Sequence, residues 1–234
     1  KYFLVPMGIS ILFAFTIAIA VYGLSDNLAG PLSSLWVWET GRDGFFAFAE
    51  VLSAIIIILL GLLIYKHFVM ALSAPFMSPV SEKIEEHLFP ELKDSVTHRD
   101  TTNASQLYRG ILINVRNLFY ELLLTIPLLL LSLIPVIGVL FWVIGFLVQS
   151  YYAGFGNIDY TLERHFKYRE SINFVKNNRG YAIGNGIVFN AVLLIPVIGI
   201  ILVLPVSVTA ASKTTLELLH EQKLLTDSTI ASTV

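Results

Sequence analysis

Long apolar runs broken by short polar segments set the pattern of this chain. Residues 2–24 and 45–65 are each long enough for a helix to span a bilayer, which takes about 20 apolar residues. The second run stays apolar past Lys66 and His67 to Phe76, which places the two spans at about 2–24 and 45–72. Residues 25–44 read as a polar loop, with Trp36 and Trp38 as interface anchors. Ser78 and Pro79 read as the cap and first position of a short acidic helix. Residues 107–120 are amphipathic, with Ile111, Val115, Leu118 and Leu122 on one face and Arg109, Arg116 and Asn117 on the other.

Two uncharged stretches follow, one between Glu121 and Asp159 and one between Arg179 and Lys213. The hexapeptide Leu-Ile-Pro-Val-Ile-Gly occurs within each, at residues 133–138 and 194–199. Proline removes a helix donor and clashes with the preceding turn, and a glycine three residues later supplies a reversal. Pro135 with Gly138 and Pro196 with Gly199 therefore predict the tips of two helical hairpins, over about 107–150 and 180–212. Split at Pro135, the apolar run 122–148 gives arms of about 13 residues, or about 20 Å each. That is short of a hydrocarbon core of about 30 Å, so each hairpin is expected to enter the membrane and return. The alternative is one crossing per stretch. Irregular backbone at a tip cannot face lipid. The two tips either line an aqueous cavity or pack against each other.

Composition supports a membrane setting. Of the 234 residues, 56% are hydrophobic and 14% charged, with a mean hydropathy of +0.74, against about 25% charged in soluble domains. The expected architecture is an all-α integral membrane protein forming a single membrane domain over 1–234, with two long transmembrane helices and two re-entrant hairpins. The absence of cysteine excludes disulfides and thiol chemistry. A chain that starts at Lys1 without a methionine is expected to lack a short N-terminal piece.

Charge placement sets the sidedness. Of the 15 Lys and Arg residues, Arg42 alone falls in 25–44; the other 14 fall elsewhere. Short cytoplasmic loops carry the basic excess. Two hairpins put all 14 inside with both termini, whereas two single crossings would put the five of 151–179 outside. On that topology Asn103-Ala104-Ser105 is not expected to act as a glycosylation acceptor.

Several polar groups are candidates for chemistry. Arg109 and Arg116 lie seven apart on one helix face and either line an anion entrance or meet lipid headgroups. Glu121, the one charge at the mouth of the first hairpin, either works on the pathway or pairs with Arg116 or Lys213. Asp159, Glu163, Arg164 and His165 read as a structural salt-bridge knot or a gate, and Gly154 and Gly156 as a turn. Gly180, Gly184 and Gly186 read as a close-packing stripe. The five histidines lack metal-ligand spacing, and no nucleotide-binding or nucleophile motif is present, so neither an enzyme nor a cofactor is expected.

Taken in order, the two long helices, Ala74-Pro75-Phe76, the acidic segment from Glu82 to Glu85, the two Ile-Pro hairpins, Asp159-Tyr160 with His165, and residues 203–206 resemble the CysZ-type sulfate permease family. Its wider relatives are the etoposide-induced-protein family. The resemblance covers essentially the whole chain. It implies an inner-membrane, multi-pass protein with cytoplasmic termini and channel-like uptake of sulfate or a related oxyanion for cysteine synthesis. It also implies a homo-oligomer and no nucleic-acid partner. It places the anion near the loop after Ala-Pro-Phe and the basic residues before the first helix, here Lys1, Ser78, Ser81 and Glu82. The family's Asn-Gly-Leu in that loop is replaced by residues 77–81, and Lys1 stands in place of an arginine. Those departures leave open a membrane scaffold or regulatory protein of the same fold.

Overall fold

The computed structural model describes residues 3–34, 37, 39–93, 101–132, 134, 136–195 and 198–233. Every element among them is helical: α1 (Leu4–Ser33), α2 (Arg42–Leu88), α3 (Pro90–Lys93), α4 (Asn103–Leu131), α5 (Gly138–His165), α6 (Tyr168–Asn177), α7 (Arg179–Leu193) and α8 (Ile198–Thr233). Helices α1, α2, α4, α5 and the Ile201–Leu224 part of α8 are long and apolar enough to cross a membrane. The chain is therefore a multi-pass membrane protein. At 15 residues, or about 22 Å, α7 falls short of a span.

Side-chain contacts fix the direction of each helix. Ile17 of α1 packs on Gly61 of α2, and Phe13 lies 5.4 Å from Phe68, so α1 and α2 are antiparallel. Leu128 meets Gly145, Asn114 meets Gly156 and Arg109 meets Asp159, which makes α4 and α5 antiparallel. Gly186 abuts Ser150 and Gly154 abuts Ala182, so α5 and α7 are antiparallel as well. Asn185 donates to the Ser207 carbonyl on the returning α8. Helix α2 runs parallel to α5, with Lys66 at Gln149, Ser81 at Thr161 and Glu85 at Arg164. The turns after α4 and after α7 therefore lie toward one end of the bundle. From the level of Lys66 and Gln149, α5 begins about 17 Å away, whereas α2 continues about 36 Å to Arg42. The outer parts of α1 and α2 project beyond both turns.

Helix α4 starts where its sequence caps it. Thr102 Oγ1 accepts from the Ser105 amide and Ser105 Oγ accepts from the Thr102 amide, a reciprocal box that satisfies two donors. The helix is turned inside out relative to a soluble one. Its polar Gln106, Asn114, Asn117 and Glu121 are buried, while Val115, Phe119 and Leu123 are exposed. In a lipid solvent the apolar face belongs outside and polar groups must find partners within the bundle.

Several sequence expectations are corrected. Residues 25–33 continue α1, with Pro31 inside it, rather than opening a loop. Helix α2 is unbroken through Pro75 and Pro79, so Ser78 does not cap a new helix. The carbonyl that Pro75 leaves without its i+4 donor is that of Ala71, and it faces Gly110 of α4, where a Cβ would lie 3.0 Å away. Residues 151–165 form the second half of α5, and almost all are buried. Gly154 and Gly156 lie mid-helix at close contacts rather than in a turn. At the first turn the left-handed residue is Val136, with φ of 69°, and Gly138 begins α5. Gly138 serves close approach instead, since a Cβ there would fall 2.1 Å from the Ser132 carbonyl oxygen. Gly199 is buried near the start of α8. Lys1, Trp36, Trp38, Pro135 and Pro196 lie outside the described residues.

Candidate functional site

The interior between α2, α4 and α5 is polar over much of its length. At its upper level Lys66 Nζ donates to Glu121 Oε1 at 2.5 Å and to the Gln149 carbonyl at 3.3 Å. His67 Nε2 lies 2.7 Å from Glu121 Oε2, and its Nδ1 lies 3.4 Å from Asn114 Oδ1. Lys66, His67 and Glu121 are almost wholly buried. Two basic side chains thus share one carboxylate at the level where the uncharged stretch begins. Charges at such depth need partners, because an isolated ion in a low-dielectric interior costs several kcal/mol.

The lower level is built on Arg164 of α5. Its Nε and Nη2 both donate to Glu85 Oε2 at 3.0 Å, and Nη2 also reaches Ser81 Oγ at 2.9 Å. Nη1 donates to the carbonyls of Ser78 and Tyr160. His165 Nε2 lies 3.0 Å from Glu85 Oε1. Beside this set, Arg109 of α4 makes a two-toothed pair with Asp159, at 3.0 and 2.8 Å, and donates to the Phe166 carbonyl and Ser171 Oγ. Ser78 and Glu163 are buried beside this set. Measured along α2 from Lys66 to Glu85, the seam is about 28 Å long.

The structure separates the residues that the sequence grouped. Ser78 and Ser81 are buried and close together, but no helix terminus presents free amides there. Ser81 shares its hydroxyl with Thr161 at 2.7 Å and with Arg164. Glu82 is half-buried, outside this set. Arg109 turns inward to Asp159 rather than to lipid, while Arg116 lies over the Tyr120 and Phe155 rings at 5.0 and 5.3 Å. Glu121 pairs as expected, but with Lys66 and His67 instead of Arg116 or Lys213. The cluster 159–165 is a knot, split between Arg109 and Glu85. Lys66 and His67 had no distinguishing mark in the sequence beyond sitting inside an apolar run, and that was the available signal.

Chemically, the seam holds the cations of Lys66, Arg109 and Arg164 inside an apolar bundle, each on a carboxylate of another helix. An oxyanion shares the negative sign of the carboxylates that occupy those cations and, like them, can accept two parallel hydrogen bonds from a guanidinium.

A family model described as sulfate transporter CysZ/etoposide-induced protein 2.4 matches residues 1–204. No curated protein matches the chain.

Proposed function

Because the chain belongs to the sulfate transporter CysZ/etoposide-induced protein 2.4 family, we propose that it is an inner-membrane permease for sulfate or a related oxyanion. It feeds cysteine synthesis, works as a channel-like homo-oligomer, and performs no covalent chemistry. The single observation that carries the reading is the buried seam of three cations running through an otherwise apolar bundle. An anion moves along it by exchanging with Glu121, Asp159 and Glu85 on Lys66, Arg109 and Arg164. In the arrangement seen here those carboxylates fill the cation positions, which corresponds to a closed path. Ser81 and Arg164 are the anion's first contacts near the inner face.

In this reading α4 with α5 and α7 with α8 are re-entrant hairpins turned at their Pro-x-x-Gly segments, and both termini are cytoplasmic. Three features support it. Both turns point the same way, α7 is too short to cross, and α2 outruns the first turn by about 19 Å. Although α4 and α5 are each long enough to span, the parts beyond Glu121 and Gln149 are only about 15 Å long; the rest carries the polar seam. The chain has no native cysteine, so Lys167→Cys, on an exposed position, is expected to label with impermeant maleimide only from the cytoplasmic side. Labelling from outside would instead contradict the proposed sidedness.

The second reading, a scaffold or regulatory protein, is favoured by one observation: Arg164 commits all its donors internally. Crystals soaked in selenate separate the two. Anomalous density between Ser81 and Arg164, with Glu85 displaced, is the expected result; density at other residues rejects this site. A protein that binds no oxyanion and holds a stable partner in a pull-down is the scaffold.

A further inference from the structure

Outside the seam, a second group of basic side chains lies along the part of α5 that packs on both α4 and α7. Arg116 of α4 is half-buried, its guanidinium held over the rings of Tyr120 and Phe155. Its one hydrogen bond runs from Nη1 to Asn117 Oδ1 at 2.8 Å, and among the described residues it has no carboxylate partner. Four of its five donor hydrogens are therefore unengaged. The Asn117 amide nitrogen beside it is fully buried and also lacks a partner among the described residues. Tyr151 of α5 packs edge-on against Phe155, and the contact of Ala182 with Gly154 brings Arg179, one turn earlier on α7, to the same stretch of α5. Arg179, the exposed first residue of α7, commits only Nε, to the Lys176 carbonyl.

Depth narrows the ligand. Arg179 is the last charge before the second uncharged stretch, and Arg116 lies five residues before Glu121, the last charge before the first. Phe119, Leu123 and Val188 are exposed farther along α4 and α7. Arginines and tyrosines at the edge of such apolar surface sit at the level of lipid phosphates. Glu121, five residues after Arg116, is occupied by Lys66 and His67.

We propose that Arg116, Arg179, Tyr151 and the Asn117 amide bind the headgroup phosphate of an anionic phospholipid, whose acyl chains lie along α4 and α7. The site does not depend on the transport reading, because none of its residues belongs to the seam.

The test compares the protein in nanodiscs of phosphatidylcholine alone and with phosphatidylglycerol added. Phosphatidylglycerol is expected to raise the unfolding midpoint of the native chain, and Arg116→Gln/Arg179→Gln is expected to lose that rise. Lys176→Gln, which removes an exposed charge one turn before Arg179, is expected to keep it. An equal rise in the double variant overturns the proposal. So does an arginine-dependent rise given by inorganic sulfate in pure phosphatidylcholine, which would make this a free-oxyanion site. If the double variant fails to fold, native mass spectrometry of the unaltered chain decides. Preferential retention of phosphatidylglycerol from mixed membranes supports the site, and equal retention of phosphatidylcholine rejects it.

Discussion

Replacing Glu121 by alanine is expected to destabilise the protein by about 3–5 kcal/mol, the range found when one partner of a buried ion pair is removed. Glu121 is fully buried and is the shared acceptor of Lys66 and His67, at 2.5 and 2.7 Å. Its loss leaves two basic groups in the bundle with only the Gln149 carbonyl and Asn114 Oδ1 as acceptors. The double replacement Lys66→Met/Glu121→Leu removes the charges together and keeps most of the volume. Replacing a whole buried pair by apolar groups is often neutral or stabilising, so the double variant is expected to recover most of the lost stability. Thermal unfolding in detergent, with gel filtration to confirm a monodisperse species, measures both. A single variant within about 1 kcal/mol of the native chain would contradict the buried pairing.

The second large effect is expected at two glycines where α5 and α7 cross. A Cβ at Gly186 would fall 1.7 Å from the Ser150 carbonyl oxygen, and one at Gly154 would fall 1.8 Å from that of Ala182. Both obstacles are backbone, so neither can swing aside, and α5 would have to separate from α7. Overpacking of this kind costs about 1–3 kcal/mol or more, and here it acts along the contact that holds α7 against α5. Gly186→Val and Gly154→Val are each expected to yield unfolded or aggregated protein. Gly180 and Gly184 belong to the same sequence stripe as Gly186, but a Cβ at either would meet nothing within 4 Å. Alanine at either is expected to leave the unfolding midpoint unchanged or raise it slightly, since alanine favours helix over glycine. Equal damage at Gly184 and Gly186 would mean that α5 and α7 do not meet as described.

Much of the architecture was legible because lipid exposure and charge exclusion act along the chain. The uncharged stretches after Glu121 and Arg179 lie within the successive helices α4 and α5, and α7 and α8. The site was less legible because its pairings are remote in sequence. Glu121 meets partners 55 and 54 residues away, and Arg164 meets Glu85 at a separation of 79. A pattern of local spacing carries no trace of them. The Ser78-Pro79 pair misled for a different reason. Its residue types suit a helix start, but tertiary packing against α4 and α5 carries α2 through both prolines, and Arg164 takes up the Ser78 carbonyl. The inward turn of Arg109 follows the same logic, since Asp159 and Ser171 offer it more than a headgroup does.

Transport through the seam is measured by uptake of labelled sulfate into proteoliposomes. Saturable uptake above that of protein-free vesicles is expected, and its loss in the folded Lys66→Met/Glu121→Leu variant, which lacks the upper cation of the seam. A well-folded native preparation that passes no sulfate or related oxyanion above the protein-free rate would contradict it.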